Sequence, residues 1–256
     1  MIELFLIKAI ITIVLVVGLS VIAEKISPKI AGILAGYPTA TAISLFFFGL
    51  EISPQFAVQS VPYNLLGLIT TQVFCYLYFV STSAFKTKRV FYSAAIALVG
   101  YFVAAYLFSF LRIDMFGAFL IAMISTVFFT YLFRQIKETK IGKIMALDNK
   151  ALLVRALIAA AILLTITEAA KHLPPTLAGL FSAFPSTVFP LLIIIHINYK
   201  NEHVNSIIKN IIKGNIALVF YSLAVGLTYS VYGVYIGTAI ALATATIVVF
   251  AISKLK

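Results

Sequence analysis

From Gly214 to Ser253 the sequence runs forty residues without a charged side chain. A soluble domain, in which about a quarter of residues are charged, has no place for such a run. Shorter charge-free runs, Ile30 to Leu50, Val90 to Leu111 and Met115 to Phe133, each approach the roughly 20 residues that cross a hydrocarbon core of about 30 Å. Over 256 residues the chain is 62% hydrophobic and 11% charged, which predicts an integral membrane protein and excludes a globular enzyme. The longest polar connection runs only from Arg134 to about Lys150, too short to fold alone, so residues 1–256 are expected to form a single membrane domain. The lone Cys75 sits in an apolar run and supports neither a disulfide framework nor a thiolate metal site.

The apolar runs divide into nine expected helices near 2–23, 30–50, 57–82, 90–111, 115–133, 151–170, 176–197, 208–230 and 235–253, an all-α polytopic bundle. The cut between the last two falls at Tyr232-Gly233, with only a tight turn available. The first run begins with Glu3 and lacks a small-x-small cleavage site, so it is read as helix 1 and not as a signal peptide. With nine spans, sixteen of the nineteen Lys and Arg residues fall on the side of the C-terminus, leaving Lys8, Arg112 and Lys171 opposite. The positive-inside rule then predicts a multi-pass protein of the cell (inner) membrane with its N-terminus outside and its C-terminus cytoplasmic. The net charge of +11 is thereby read as orientation and not as nucleic-acid binding, which would need a basic, aromatic-bearing groove.

Shifting the chain by 147 residues aligns Leu6–Leu45 with Leu153–Leu192 without a gap. The rarer residues carry the match: Lys8 with Arg155, Pro28 with Pro175, Ala31-Gly32 with Ala178-Gly179, and Tyr37-Pro38-Thr39 with Phe184-Pro185-Ser186. Farther on, Gly67 falls on Gly214. Residues 1–111 form a first repeat, 148–256 a second, and 112–147 an unpaired helix with its cytoplasmic connection. Five helices separate corresponding positions, so the halves are expected to cross the membrane in opposite directions, a 4+1+4 inverted-topology repeat.

The order basic-Ala, then Ala-Gly twenty-three residues later, then aromatic-Pro-Thr or aromatic-Pro-Ser, resembles the GlpM-like family of small bacterial inner-membrane proteins, each about the size of one repeat. The likeness covers roughly Leu4–Leu50 and Ala151–Ile197, and the later helices of each half only by hydropathy. That family is linked to alginate production in pseudomonads, so the resemblance implies a role at the inner membrane. Here two copies are fused through the unpaired helix.

Pro38 lies ten residues after Pro28, about 15 Å along a helix and half the hydrocarbon thickness. With Gly36 beside it, Pro38 is expected to kink or break its helix near the midplane, and Pro185 to do the same in the opposite direction. Such breaks serve close packing, or they expose half-helix N-termini that bind anions with help from Thr39, Thr41, Ser182, Ser186 and Thr187. Lys8 and Arg155 occupy matched places in apolar surroundings, where they either snorkel to the interface or attract anions toward the site. Glu168 is the one carboxylate read as lying appreciably inside a span, making it the proton-coupling candidate or an interfacial partner of Lys171. No cluster of His, Cys, Asp or Glu has metal or acid-base spacing, so no catalytic residue, metal or cofactor is expected.

These features point to a transporter or flippase that moves a small or lipid-linked solute, with a preference for an anionic one, by alternating access around the paired breaks. The expected partners are the bilayer and that solute, and a homo-oligomer is compatible with the sequence. The rival is a non-transporting membrane subunit supporting envelope polysaccharide or lipid assembly.

Overall fold

The computed structural model describes residues 2–26, 37–85, 89–136 and 149–254. Its regular elements are α1 (Ile2–Ile26), α2 (Thr39–Glu51), α3 (Pro54–Thr82), α4 (Arg89–Ser109), α5 (Met115–Leu132), α6 (Asn149–Ala169), α7 (Pro175–Ser182), α8 (Val188–Asn198) and α9 (Asn201–Lys254), with short 3-10 turns at Phe133–Gln135 and Ala170–His172. Among the described residues the fold is all-helical. Five helices are long and apolar enough to cross a membrane: α3, α4, α5 with its 3-10 extension, α6 and α9.

Helix starts follow local chemistry. Ser53 Oγ accepts from Phe56 N at 3.0 Å, and Pro54, which has no N–H to lose, opens α3. Asp114 caps α5 by accepting from Phe116 N at 3.2 Å, and Pro175 opens α7. The expected boundaries shift where these signals were overlooked. α3 begins at Pro54 instead of residue 57, and α9 begins at Asn201 instead of 208. Lys209 and Lys213 therefore lie well inside the helix, and Lys209 Nζ donates to Ile136 O at 2.6 Å, tying α9 to the turn that follows α5.

α9 is two helices joined at Gly233, whose φ of 75° and ψ of 174° belong to a backbone region open essentially to glycine alone. Thr228 Oγ1 donates to Gly237 O at 3.4 Å, and Tyr229 Oη lies 2.7 Å from Thr238 Oγ1. In a straight helix residues nine apart stand about 13.5 Å apart along the axis. The arms 201–232 and 234–254 therefore fold back on one another, and the expected tight turn is this one residue.

α3 is the central element and packs against α2, α4, α5, α7 and α9. Its side chains are mostly buried, with Val61, Leu65, Leu66 and Phe74 fully so. α4, α5 and the second arm of α9 instead turn large apolar side chains outward, among them Phe91, Phe102, Ile124, Phe128, Ile247 and Phe250. An exposed apolar surface of this extent is a liability in water and the normal surface of a protein whose solvent is lipid. α1 packs along α6, and Gly49 of α2 lies against Val234 and Tyr229 at the turn of α9.

The 147-residue offset recurs in element boundaries. α1 and α6 begin at Ile2 and Asn149, α2 and α8 end at Glu51 and Asn198, and α3 and α9 begin at Pro54 and Asn201.

Candidate functional site

The two proline segments share one backbone pattern. Thr39 N donates to Tyr37 O at 2.6 Å and Ser186 N to Phe184 O at 2.7 Å, closing a three-residue turn centred on each proline. Ala42 N then donates to Pro38 O and Phe189 N to Pro185 O, both at 2.7 Å, restarting each helix. Neither α2 nor α8 has a side-chain cap at its N-terminus. The second break separates α7 from α8 completely; Gly36, and the helix expected to precede Pro38, lie outside the described residues.

Both proline turns border one small cavity of about 30 Å³, lined by Tyr37, Ala40 and Thr41 from the first and by Ala183, Phe184, Pro185, Thr187 and Val188 from the second. Leu68 and Thr71 of α3 and Asn215 and Leu218 of α9 complete it. This lining is built from matched positions: Tyr37 with Phe184, Ala40 with Thr187, Thr41 with Val188, Leu68 with Asn215, and Thr71 with Leu218 all stand 147 residues apart. Asn215 is 2% exposed, and its Nδ2 has no hydrogen-bond partner among the described residues. Ser186 Oγ, fully buried, is likewise unpartnered there.

Around the cavity the carbonyls at the end of α7 are capped from several helices. Thr71 Oγ1 donates to Ala183 O at 2.7 Å, Tyr101 Oη to Leu180 O at 2.8 Å and Thr41 Oγ1 to Ser182 O at 3.5 Å. Asn64 Nδ2 donates to Ser182 Oγ at 2.6 Å, and Ser222 Oγ donates to Asn64 Oδ1 at 2.6 Å. These orphan carbonyls would otherwise be costly in a medium without water. The approach that permits the caps depends on two glycines. A Cβ on Gly179 would strike the Ser60 carbonyl oxygen, and one on Gly67 would lie 2.7 Å from Ala183 Cβ.

Asn64, Thr71 and Asn215 were not among the expected site residues. A signal for the first two exists in Ser60, Asn64, Gly67 and Thr71, which recur at helical spacing along the face of α3 that meets α7. Asn215 carries no comparable periodic mark.

Of the expected site residues, Pro38, Thr41, Ser182, Pro185, Ser186 and Thr187 lie at the breaks, while Thr39 turns its Oγ1 locally to Tyr37 O at 3.4 Å. Arg155 reaches them directly, its Nε donating to Thr187 O at 3.3 Å. Lys8 does not. It is buried beside Glu51, thirteen residues beyond Pro38 and roughly 20 Å along the helix.

Lys8 neither snorkels nor faces a free path. Its Nζ lies 2.6 Å from Glu51 Oε2, 2.9 Å from Glu168 Oε1 and 3.3 Å from Thr167 Oγ1, and 5.2 Å from the centre of the Phe47 ring. Lys171 Nζ meets the same two carboxylates, Glu51 at 3.2 Å and Glu168 at 2.8 Å. Two cations and two anions thus form a neutral quartet joining α1, α2 and the end of α6. Glu168 thus meets Lys171, the partner offered as its alternative role, with a side chain 44% exposed, whereas that of Glu51 is 5% exposed. Sequence reading overlooked Glu51 because it ends an apolar run, a place normally open to the interface.

Comparison of the chain with protein-family models, with curated proteins and with solved structures finds no match in any of the three.

Proposed function

We propose that the protein is a membrane transporter or flippase whose two halves form an inverted repeat, moving a small or lipid-linked solute with a preference for an anionic one. The observation that carries this reading is the lining of the cavity at the breaks by five residue pairs separated by one constant offset. Two equivalent broken helices meeting at one point are the arrangement in which repeats of opposite orientation build a mid-membrane site. Uncapped N-termini of α2 and α8 offer positive half-helix ends, and Asn215 Nδ2 offers a buried donor beside them. In this reading residues 1–111 and 148–256 rock against each other about the cavity. The Lys8–Glu51–Glu168–Lys171 quartet closes the end that the charge distribution places outside, with the C-terminus cytoplasmic and the chain multi-pass in the inner membrane. Each half is a relative of the GlpM-like proteins.

One observation favours the rival reading of a non-transporting subunit. The carbonyls at the end of α7 are already capped by Thr41, Thr71 and Tyr101, Asn64 holds the Ser182 hydroxyl, and the cavity is little larger than one water. Cysteine accessibility separates the two. In a Cys75→Ala background, Thr41→Cys and Thr187→Cys are exposed to a membrane-impermeant thiol reagent from each side of sealed vesicles. Transport predicts labelling of both positions from both sides. Protection of both from both sides leaves the breaks as packing joints and the subunit reading in force.

A further inference from the structure

Beside the cavity runs an open groove of about 540 Å³ between α4, α6, α7 and α8. Its walls include Phe102, Ile162, Ile166, Phe181, Phe184 and Phe189. Among the described residues the one polar side chain bordering it, Thr165, spends its hydroxyl on Ala161 O at 2.8 Å. Nothing in the groove recognises a polar group. Its mouth lies on the apolar outer surface, where Phe102 is half exposed, so a hydrocarbon chain reaches it without crossing water.

Phe184 belongs to the groove and to the polar cavity at once. Its ring is held between Tyr101, at 5.0 Å edge to face, and Phe102, stacked at 6.2 Å. On one side of this ring all is apolar. On the other lie Asn215, Thr71, Thr187 and the uncapped N-termini of α2 and α8.

We propose that the substrate is lipid-linked: its single hydrocarbon chain seats in the groove while its anionic headgroup passes Phe184 into the cavity at the breaks. The inference rests on the transporter reading of that cavity and names the substrate class it leaves open. An apolar seat adjoining a polar site distinguishes an amphiphile from a free anion, which gains nothing from the groove. The small present volume of the cavity fits a state in which the headgroup has not entered, with Phe184 as the partition that must turn to admit it.

The test uses the full chain in lipid nanodiscs with two probes, geranylgeranyl phosphate and inorganic phosphate. Thr165→Trp fills the groove from a lipid-facing position, and Ala161→Phe does so independently should the first variant misfold. Both should weaken prenyl phosphate binding by about tenfold, the loss expected when two or three methylenes leave an apolar seat, while inorganic phosphate binding is unchanged. Asn215→Leu should weaken both probes. Equal affinity for the two probes, or groove variants that bind prenyl phosphate normally, overturns the tail seat and leaves the cavity reading standing. Asn215→Leu without effect on either probe overturns the cavity reading itself, and failure of both probes to bind the unsubstituted protein overturns both.

Discussion

Lys8 Nζ and Glu51 Oε2 lie 2.6 Å apart across forty-three residues of sequence, and both side chains are almost wholly withdrawn from the surface. The pair fastens α1 to the far end of α2, and through Glu168 to α6. Its partner Lys171 makes the same kinds of contact from a side chain that is one-third exposed.

This difference predicts unequal costs. Lys8→Ala leaves the buried Glu51 carboxylate with Lys171 alone, at 3.2 Å, a loss of at most about 3–5 kcal/mol, whereas Lys171→Ala removes a partly solvated contact worth about 0–1 kcal/mol. Thermal unfolding in detergent should rank Lys8→Ala far below Lys171→Ala, with Glu51→Gln between them. Equal midpoints for the two lysine variants would show that the quartet is not buried as described.

Gly179→Ala should destabilise by about 1–3 kcal/mol, the range for overpacking, because its Cβ meets the backbone at Ser60 and Asn64, which cannot give way as a side chain can. Gly18→Ala is the control, since a Cβ there meets nothing within 4 Å among the described residues. Denaturation of the two variants in the same detergent reads the contrast.

Asn215→Leu places at this position the residue found at its matched site, Leu68. Removing a buried amide whose Nδ2 has no partner among the described residues should leave stability unchanged or raise it by about 1 kcal/mol, while ligand binding falls. A coincident loss of stability and binding would assign Asn215 to packing.

Reporter fusions after Lys88 and after Lys143 should both read cytoplasmic, as the distribution of basic residues requires. A periplasmic signal at either point removes the inverted relation of the halves.

The apolar runs made the helices legible, because hydropathy depends on composition over a window and not on neighbours in space. The break at Pro185 was legible for a different reason: proline acts on its own backbone, and its effect needs no tertiary partner. Glu51, Asn64 and Asn215 escaped because their meaning lies in what they meet across the fold. A carboxylate at the end of an apolar run reads as interfacial until Lys8 is found against it. An asparagine within such a run shows nothing until the capped end of α7 stands opposite Asn64 and the cavity opens beside Asn215. Lys8 and Arg155 stand 147 residues apart in sequence, yet one is locked to carboxylates and the other donates to a backbone carbonyl, because the residues around them differ.

The single-residue reversal at Gly233 bears on how the chain enters its membrane. Helices joined by a hydrophilic loop can be placed one at a time, each held while the next emerges. Here no loop exists: the arms 201–232 and 234–254 share a backbone turn without a charged residue, and only Ser230, Tyr232 and Tyr235 stand exposed beside it as polar side chains. A turn this tight favours release of the two arms into lipid together as a hairpin, which returns Lys254 to the side where Asn201 begins. An alanine at Gly233 would strain that backbone by about 1–3 kcal/mol and should act during biogenesis, lowering the yield of inserted protein more than the stability of the molecules that succeed.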